Sequence, residues 1–170
     1  MKRERMLKIS VICVILFGAA IISACAENQH GPAEPDITVE YLSGEYAVQL
    51  TRDGALVSLG VINIETDEEG VTWINVSERE YVEDAGEPNG FYIADKNLEA
   101  DYQLSPEARA TFLPGGSSIA LVLDANEFVS AAAADLEEFG AGNPGYKEHK
   151  LYHVYAMDDQ IMLLLAQYIP

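Results

Sequence analysis

Cysteine, histidine and basic residues are scarce in this chain. Two of its 170 residues are cysteine and three are histidine, too few for a dense disulfide framework or a closed zinc site with four N or S ligands. Lys and Arg number 10 against 28 Asp and Glu, and four of the ten (Lys2, Arg3, Arg5 and Lys8) stand at the extreme N-terminus beside one acid, Glu4. From Ile9 onward six basic residues face 27 acidic ones, a formal charge of −21. Such a surface repels phosphate backbones and offers no basic patch, which excludes nucleic acid as a partner. Long hydrophobic runs are also lacking, save Ile9 to Ala24, which is broken by Ser10, Gly18 and Ser23. A spanning helix wants roughly 20 predominantly apolar residues. Neither a G-x-S-x-G elbow nor a glycine-rich phosphate loop occurs, so no cofactor is expected.

The basic start followed by that apolar run has the layout of a cleaved export signal. The run ends in Ile22-Ser23-Ala24-Cys25, which resembles the bacterial lipobox: an aliphatic residue, two small ones and an obligatory cysteine that is lipidated before cleavage in front of it. The resemblance implies a signal peptide over residues 1–24 and palmitate-type acyl chains on Cys25. It also implies an extracytoplasmic domain anchored to the cell membrane, or to an outer membrane in a diderm host. A generic cleavage site or a retained anchor helix are the alternatives. With Cys13 removed and Cys25 lipidated, the mature chain has no disulfide and rests on its core alone. One short acyl chain holds weakly, each buried methylene adding about 0.8 kcal/mol, so two or three chains are needed for a stable anchor. Polybasic attachment is not available to so acidic a surface. The acid excess itself reads as solubility or as adaptation to salty or alkaline surroundings, with cation binding as the alternative.

Residues 25–40 contain Gly31, Pro32 and Pro35 without periodicity and read as a flexible tether, leaving 41–170 as one domain. Tyr46, Val48 and Leu50 alternate with Ala47, Gln49 and Thr51, which predicts a strand, and Asp53-Gly54 after it predicts a hairpin turn. The return strand "ALVSLGVINIE" holds Gly60, a sign of a bulge or bend. A third strand, "VTWINVSE", follows the acidic turn 66–70 and contains the sequon Asn75-Val76-Ser77, read as strand. "FYIA" is a short added strand, Pro106 and Pro114 bracket another, and "SIALVLD" has the composition of a sheet core. Asp124 and Glu127 form a capping-box pattern for a helix with Phe128, Ala132, Leu136 and Phe139 on one face and Gly140 at its end. "LYHVYAM" and "IMLLLAQYI", joined by Asp158-Asp159, close the chain as a hairpin. The order predicts a mainly β domain with one amphipathic α-helix, a small antiparallel barrel of the OB type with an insertion.

Asp95, Asn97, Glu99 and Asp101 place oxygen ligands at alternate positions, as in the first half of a calcium loop, but Ala100 and Pro106 stand where glycine and a bidentate glutamate are needed. They are a metal candidate only in that weak sense. His149 and His153 read as strand neighbours roughly 13 Å apart, beyond a shared zinc. The serines at 117–118 lack a base. Carboxylate pairs are inevitable among so many acids and carry no motif. The aromatics Tyr41, Tyr46, Trp73, Tyr81, Phe91, Tyr92, Tyr102, Tyr152 and Tyr155 serve either core packing or a ligand-holding face.

The segments "EPNGFYIADKN", "YQLSPEARATF" and "AQYIP" resemble those of a loosely defined group of small exported bacterial proteins, many of them lipoproteins. Its members share P-N-x-[FY]-Y-I-like, P-x-A-like and Q-Y-x-P-like segments. The likeness covers residues 45–113 and 150–170 and brings no assigned activity or catalytic residues. These observations together favour a lipid-anchored, non-enzymatic binding domain whose partner is an envelope protein, a peptide or a small ligand. An envelope hydrolase using a carboxylate pair and a calcium-dependent binding domain are the alternatives.

Overall fold

The computed structural model describes residues 42–169, all within one contact unit. The signal run, Cys25 and the tether lie outside the described residues. Six strands follow one another as β1 (Leu56–Thr66), β2 (Thr72–Glu83), β3 (Phe91–Phe112), β4 (Leu121–Asp124), β5 (Leu151–Met157) and β6 (Gln160–Gln167). Two α-helices, α1 (Ala47–Arg52) and α2 (Ala125–Asp135), precede β1 and follow β4. The domain is mainly β, as the sequence order suggests.

The strands close into a barrel-like ring. β1 pairs with β2 and β5, β2 with β3, and β5 with β6, all antiparallel. β3 and β6 complete the ring in parallel, with Leu104 opposite Ile161 and Ala110 opposite Leu164. In chain order a three-strand meander is followed by β4, α2 and a closing hairpin, β5 and β6. The expectation of an antiparallel barrel is corrected at this one seam, where β6, the second strand of the closing hairpin, runs parallel to β3.

β3 is much longer than "FYIA" suggests because it changes partners midway. Its first half pairs with β2 as far as Gln103, and its last four residues pair with β4. Pro106 sits in the register shift between Leu104 and Arg109, a position where a missing N–H is tolerated. It interrupts pairing without ending the strand. β4, expected as sheet core, pairs with β3 alone and leaves Leu121 and Asp124 exposed.

The segment "EYAVQLTR" is helical, correcting the first predicted strand. Leu42, Ala47 and Leu50 are buried while Val48 is exposed, a helical spacing that competes with the period-2 pattern. A π-helical turn over Leu42–Tyr46 leads into α1. Asp53-Gly54 is the end of that helix and not a hairpin. Gly54 has φ +97°, and Ala55 N donates to Leu50 O at 2.9 Å, as in a Schellman cap. α1 and Leu42 pack on the outside of the ring against Leu163 and Leu165, while Ile161 and Leu164 face the interior cluster. β6 is therefore buried on both faces, which explains its continuous apolar run.

Gly60 lies in regular pairing opposite Glu78 and Tyr152, not in a bulge. A Cβ there would stand 2.7 Å from Val76 Cγ1 and 2.8 Å from Ser77 O. Gly60→Ala should therefore destabilise the domain by about 1–3 kcal/mol through overpacking, readable as a lower denaturant midpoint at unchanged slope.

α2 starts as expected. Glu127 N donates to Asp124 Oδ1 at 2.9 Å and Asp124 N to Glu127 Oε2 at 3.1 Å, a reciprocal capping box. Phe128 is fully buried over the ring, with edge-on contacts to Phe112 and Tyr152 at centroid distances of 6.1 and 5.8 Å. The rest of the expected apolar face is different: Leu136 and Phe139 are 46% and 37% exposed, and the helix finishes in a π-helical turn over Leu136–Gly140.

Candidate functional site: a cleft between helix and ring

Why the second half of α2 leaves space follows from its composition. Ala131 to Ala134 are strong helix formers, but their methyl groups are short. Where Ala132 and Ala133 face β1, the gap is not filled, since close packing needs volume on both sides. The result is a cleft of about 330 Å³ with Ile62, Ile64, Val129 and Leu136 among its walls. Such a size lies at the lower end of small-molecule sites, about 300–1,000 Å³. Phe112 and Tyr152 also contribute, and Asn63, Asp135, Tyr146, Lys147 and Lys150 supply polar groups.

One side of the cleft is held by a dense polar network. Asp135, whose side chain is 6% exposed, accepts Lys150 Nζ at 2.7 Å, Gly115 N at 2.6 Å and Tyr146 Oη at 2.9 Å. Burial raises its pKa, but the hydrogen bonds from Lys150, Gly115 and Tyr146 outweigh that and hold it below the ordinary carboxylate value. Lys150 also donates to Leu113 O at 2.7 Å and lies over the rings of Phe112 and Tyr146, at 4.6 and 5.0 Å from their centroids. The network joins the end of α2, the turn at Gly115 and the segment before β5. Burial, reinforced by the Asp135 carboxylate, keeps the Tyr146 hydroxyl protonated far above its usual range.

Two polar groups at the cleft are differently placed. Lys147 Nζ donates to Asn63 Oδ1, a neutral acceptor. Tyr152 is almost wholly buried, and its hydroxyl has no hydrogen-bond partner among the described residues. Burial and then the charge of Asp135 push its pKa strongly upward, so it remains a neutral O–H donor.

The residues singled out from the sequence fall elsewhere. Asp95, Asn97, Glu99 and Asp101 lie along β3, where Asn97 has φ 54° in a bulge opposite Glu78. Asp95 pairs with Arg79 at 3.3 Å, and Asp101 accepts Asn75 Nδ2 at 2.9 Å. They form a strand and not a loop, with no convergence of the four. Among the described residues no group of three or more His, Cys, Asp or Glu side chains is placed to hold a metal. His149 belongs to a short 3-10 turn (Lys147–His149), not to the strand, and His153 on β5 meets Gln167 Oε1 at 3.0 Å. Ser117 Oγ is bonded within its own turn to Ile119. Asp135 is the one buried carboxylate among the described residues, and with Asp67 it is held ionised. Neither is kept as a proton donor, the role an acid–base pair requires.

The aromatics divide among several uses. Tyr152 is in the core and at the cleft, Tyr46 and Tyr155 pack beside α1, and Tyr102 borders the interior cluster. Trp73, Tyr81 and Tyr92 are exposed, Tyr81 stacking on Phe91 at 4.6 Å. Tyr41 lies outside the described residues. The cleft had a signal in the sequence, the alanine run, but that run is equally a mark of helix propensity.

Compared with protein-family models, curated proteins and solved structures, the chain gives no match.

Proposed function

We propose that the chain is a lipid-anchored, extracytoplasmic binding protein without enzymatic activity, whose ligand occupies the cleft between α2 and β1. The observation that carries this reading is the cleft itself: apolar walls from Ile62, Ile64, Val129 and Leu136 with a few polar groups around them, the usual make-up of a small-molecule site. The lipobox ending at Cys25 supports the anchor. The acidic residues of β2 and β3, Glu78, Glu80, Glu83, Asp95, Glu99 and Asp101, speak against oligonucleotides on the strands that OB folds commonly use for them.

Two measurements test this. Small molecules extracted from the full chain, purified from its own membranes, should include a species missing from Ala133→Phe at equal yield, because Ala133 is exposed and lines the cleft. Identical extracts from both proteins would defeat the binding reading. Mass spectrometry of the N-terminal peptide should find an acylated Cys25 with the signal removed; an unmodified cysteine would defeat the anchor.

A further inference from the structure

We infer that the ligand is a small amphipathic monocarboxylate, its apolar body against Ile62, Ile64 and Val129 and its carboxylate on Lys147. The inference rests on the reading of the cleft as a binding site and adds the chemistry of what enters it.

Six cations occur among the described residues: Arg52, Arg79, Lys96, Arg109, Lys147 and Lys150. Arg79, Lys96 and Lys150 are paired with carboxylates. Arg109 donates to the backbone carbonyls of Glu107 and Ala108, and Arg52 is exposed on the last turn of α1. Lys147 lies at the cleft, half-buried, with a neutral amide oxygen as its hydrogen-bond partner and no carboxylate within ion-pair distance among the described residues. An ammonium carries three donors, so two remain. Among the described residues the nearest carboxylate in its network is one bond removed, Glu65, which accepts from Asn63 Nδ2 at 2.9 Å, so the complementary charge for the lysine beside the apolar cavity is not supplied in direct contact.

Tyr152 adds a second donor. Its hydroxyl is neutral and has no protein partner among the described residues; since none of their buried side-chain polar atoms is left unsatisfied, that hydroxyl is reachable from outside, and the residue lines the same cleft. Both groups ask for an acceptor. Asp135 does not cancel this demand or repel the incoming anion strongly, because its charge is taken up by Lys150 and two further donors. Volume sets the size: at about 330 Å³ the cleft stands at the lower end of small-molecule sites, which calls for a small ligand. Octanoate is of that size.

The test is equilibrium dialysis of radiolabelled octanoate, octanol and octylamine against the full-length lipidated chain in zwitterionic nanodiscs, with empty nanodiscs subtracted. Octanoate should bind about tenfold more tightly than octanol, the expected scale of one charge-assisted hydrogen bond, and octylamine more weakly than either. Lys147→Gln should bring octanoate to the level of octanol and leave octanol unchanged. Equal binding of octanoate and octanol, a preference for octylamine, or an unaltered octanoate affinity in Lys147→Gln would overturn the carboxylate assignment alone. Absence of binding by all three, or binding undiminished in Ala133→Phe, would overturn the cleft as a site.

Discussion

Replacing Phe128 by alanine should destabilise the domain by about 3–5 kcal/mol, the range for emptying a fully buried aromatic position. Phe128 is the side chain that seats α2 on the ring, and it touches both Phe112 and Tyr152 edge-on. Its loss would leave a cavity where helix and ring meet and remove the aromatic contacts, each worth about 0.5–1.5 kcal/mol beyond area burial. Urea unfolding followed by tryptophan fluorescence reads the effect, with Trp73 on β2 as the reporter. A loss below 1 kcal/mol would mean that the helix does not depend on this residue for docking.

Asp135→Ala should cost a similar amount, about 3–5 kcal/mol, because breaking a buried pair strands its partner. Lys150 would keep its charge beside Phe112, and Gly115 N and Tyr146 Oη would lose their acceptor. Asp135→Asn isolates the charge. The folded-state pKa of Asp135 lies below the ordinary value of 3.8, so the stability contributed by its ionised form is fully present above that value. It is lost as pH falls through the folded-state pKa. The difference in melting temperature between wild type and Asp135→Asn should therefore be constant from neutral pH to about 4 and shrink below it. A difference independent of pH down to acid unfolding would contradict the electrostatic role given to this carboxylate.

Local chemistry was legible in the sequence where neighbours along the chain decide the outcome. The capping box at Asp124 and Glu127 forms as written. The Asp158-Asp159 junction closes β5 on β6 with φ of 51° and 62°, as primed hairpin turns require. The acidic turn after β1 is organised by Asp67, which accepts Glu69 N, Val71 N and Trp73 Nε1. What failed depends on distant partners. α1 was hidden because Tyr46, Val48 and Leu50 satisfy a period of two, and only the apolar outer face of β6 selects the helical alternative through Leu42, Ala47 and Leu50. Pro106 misled because a strand that exchanges one partner for another can carry a proline at the junction.

The cleft was the least legible feature. Asn63 and Lys147, which meet across it, are 84 residues apart, and the pairing of β1 with β5 brings them together. A row of alanines gives no hint of which side will be left unfilled. Even the buried network is written in scattered single letters: Gly115, Asp135, Tyr146 and Lys150 share no motif. Lys147 differs from Arg79, Lys96 and Lys150 only through ion pairs that the fold creates.

Methyl-resolved NMR of the full-length chain in nanodiscs, titrated with octanoate, tests the account most directly. Shifts should concentrate on Ile62, Ile64, Val129 and Leu136 and leave the exposed methyls of Leu56, Leu98 and Ile119 in place. Shifts spread over those exposed residues, or none at any methyl of the cleft walls at saturating octanoate, would contradict it.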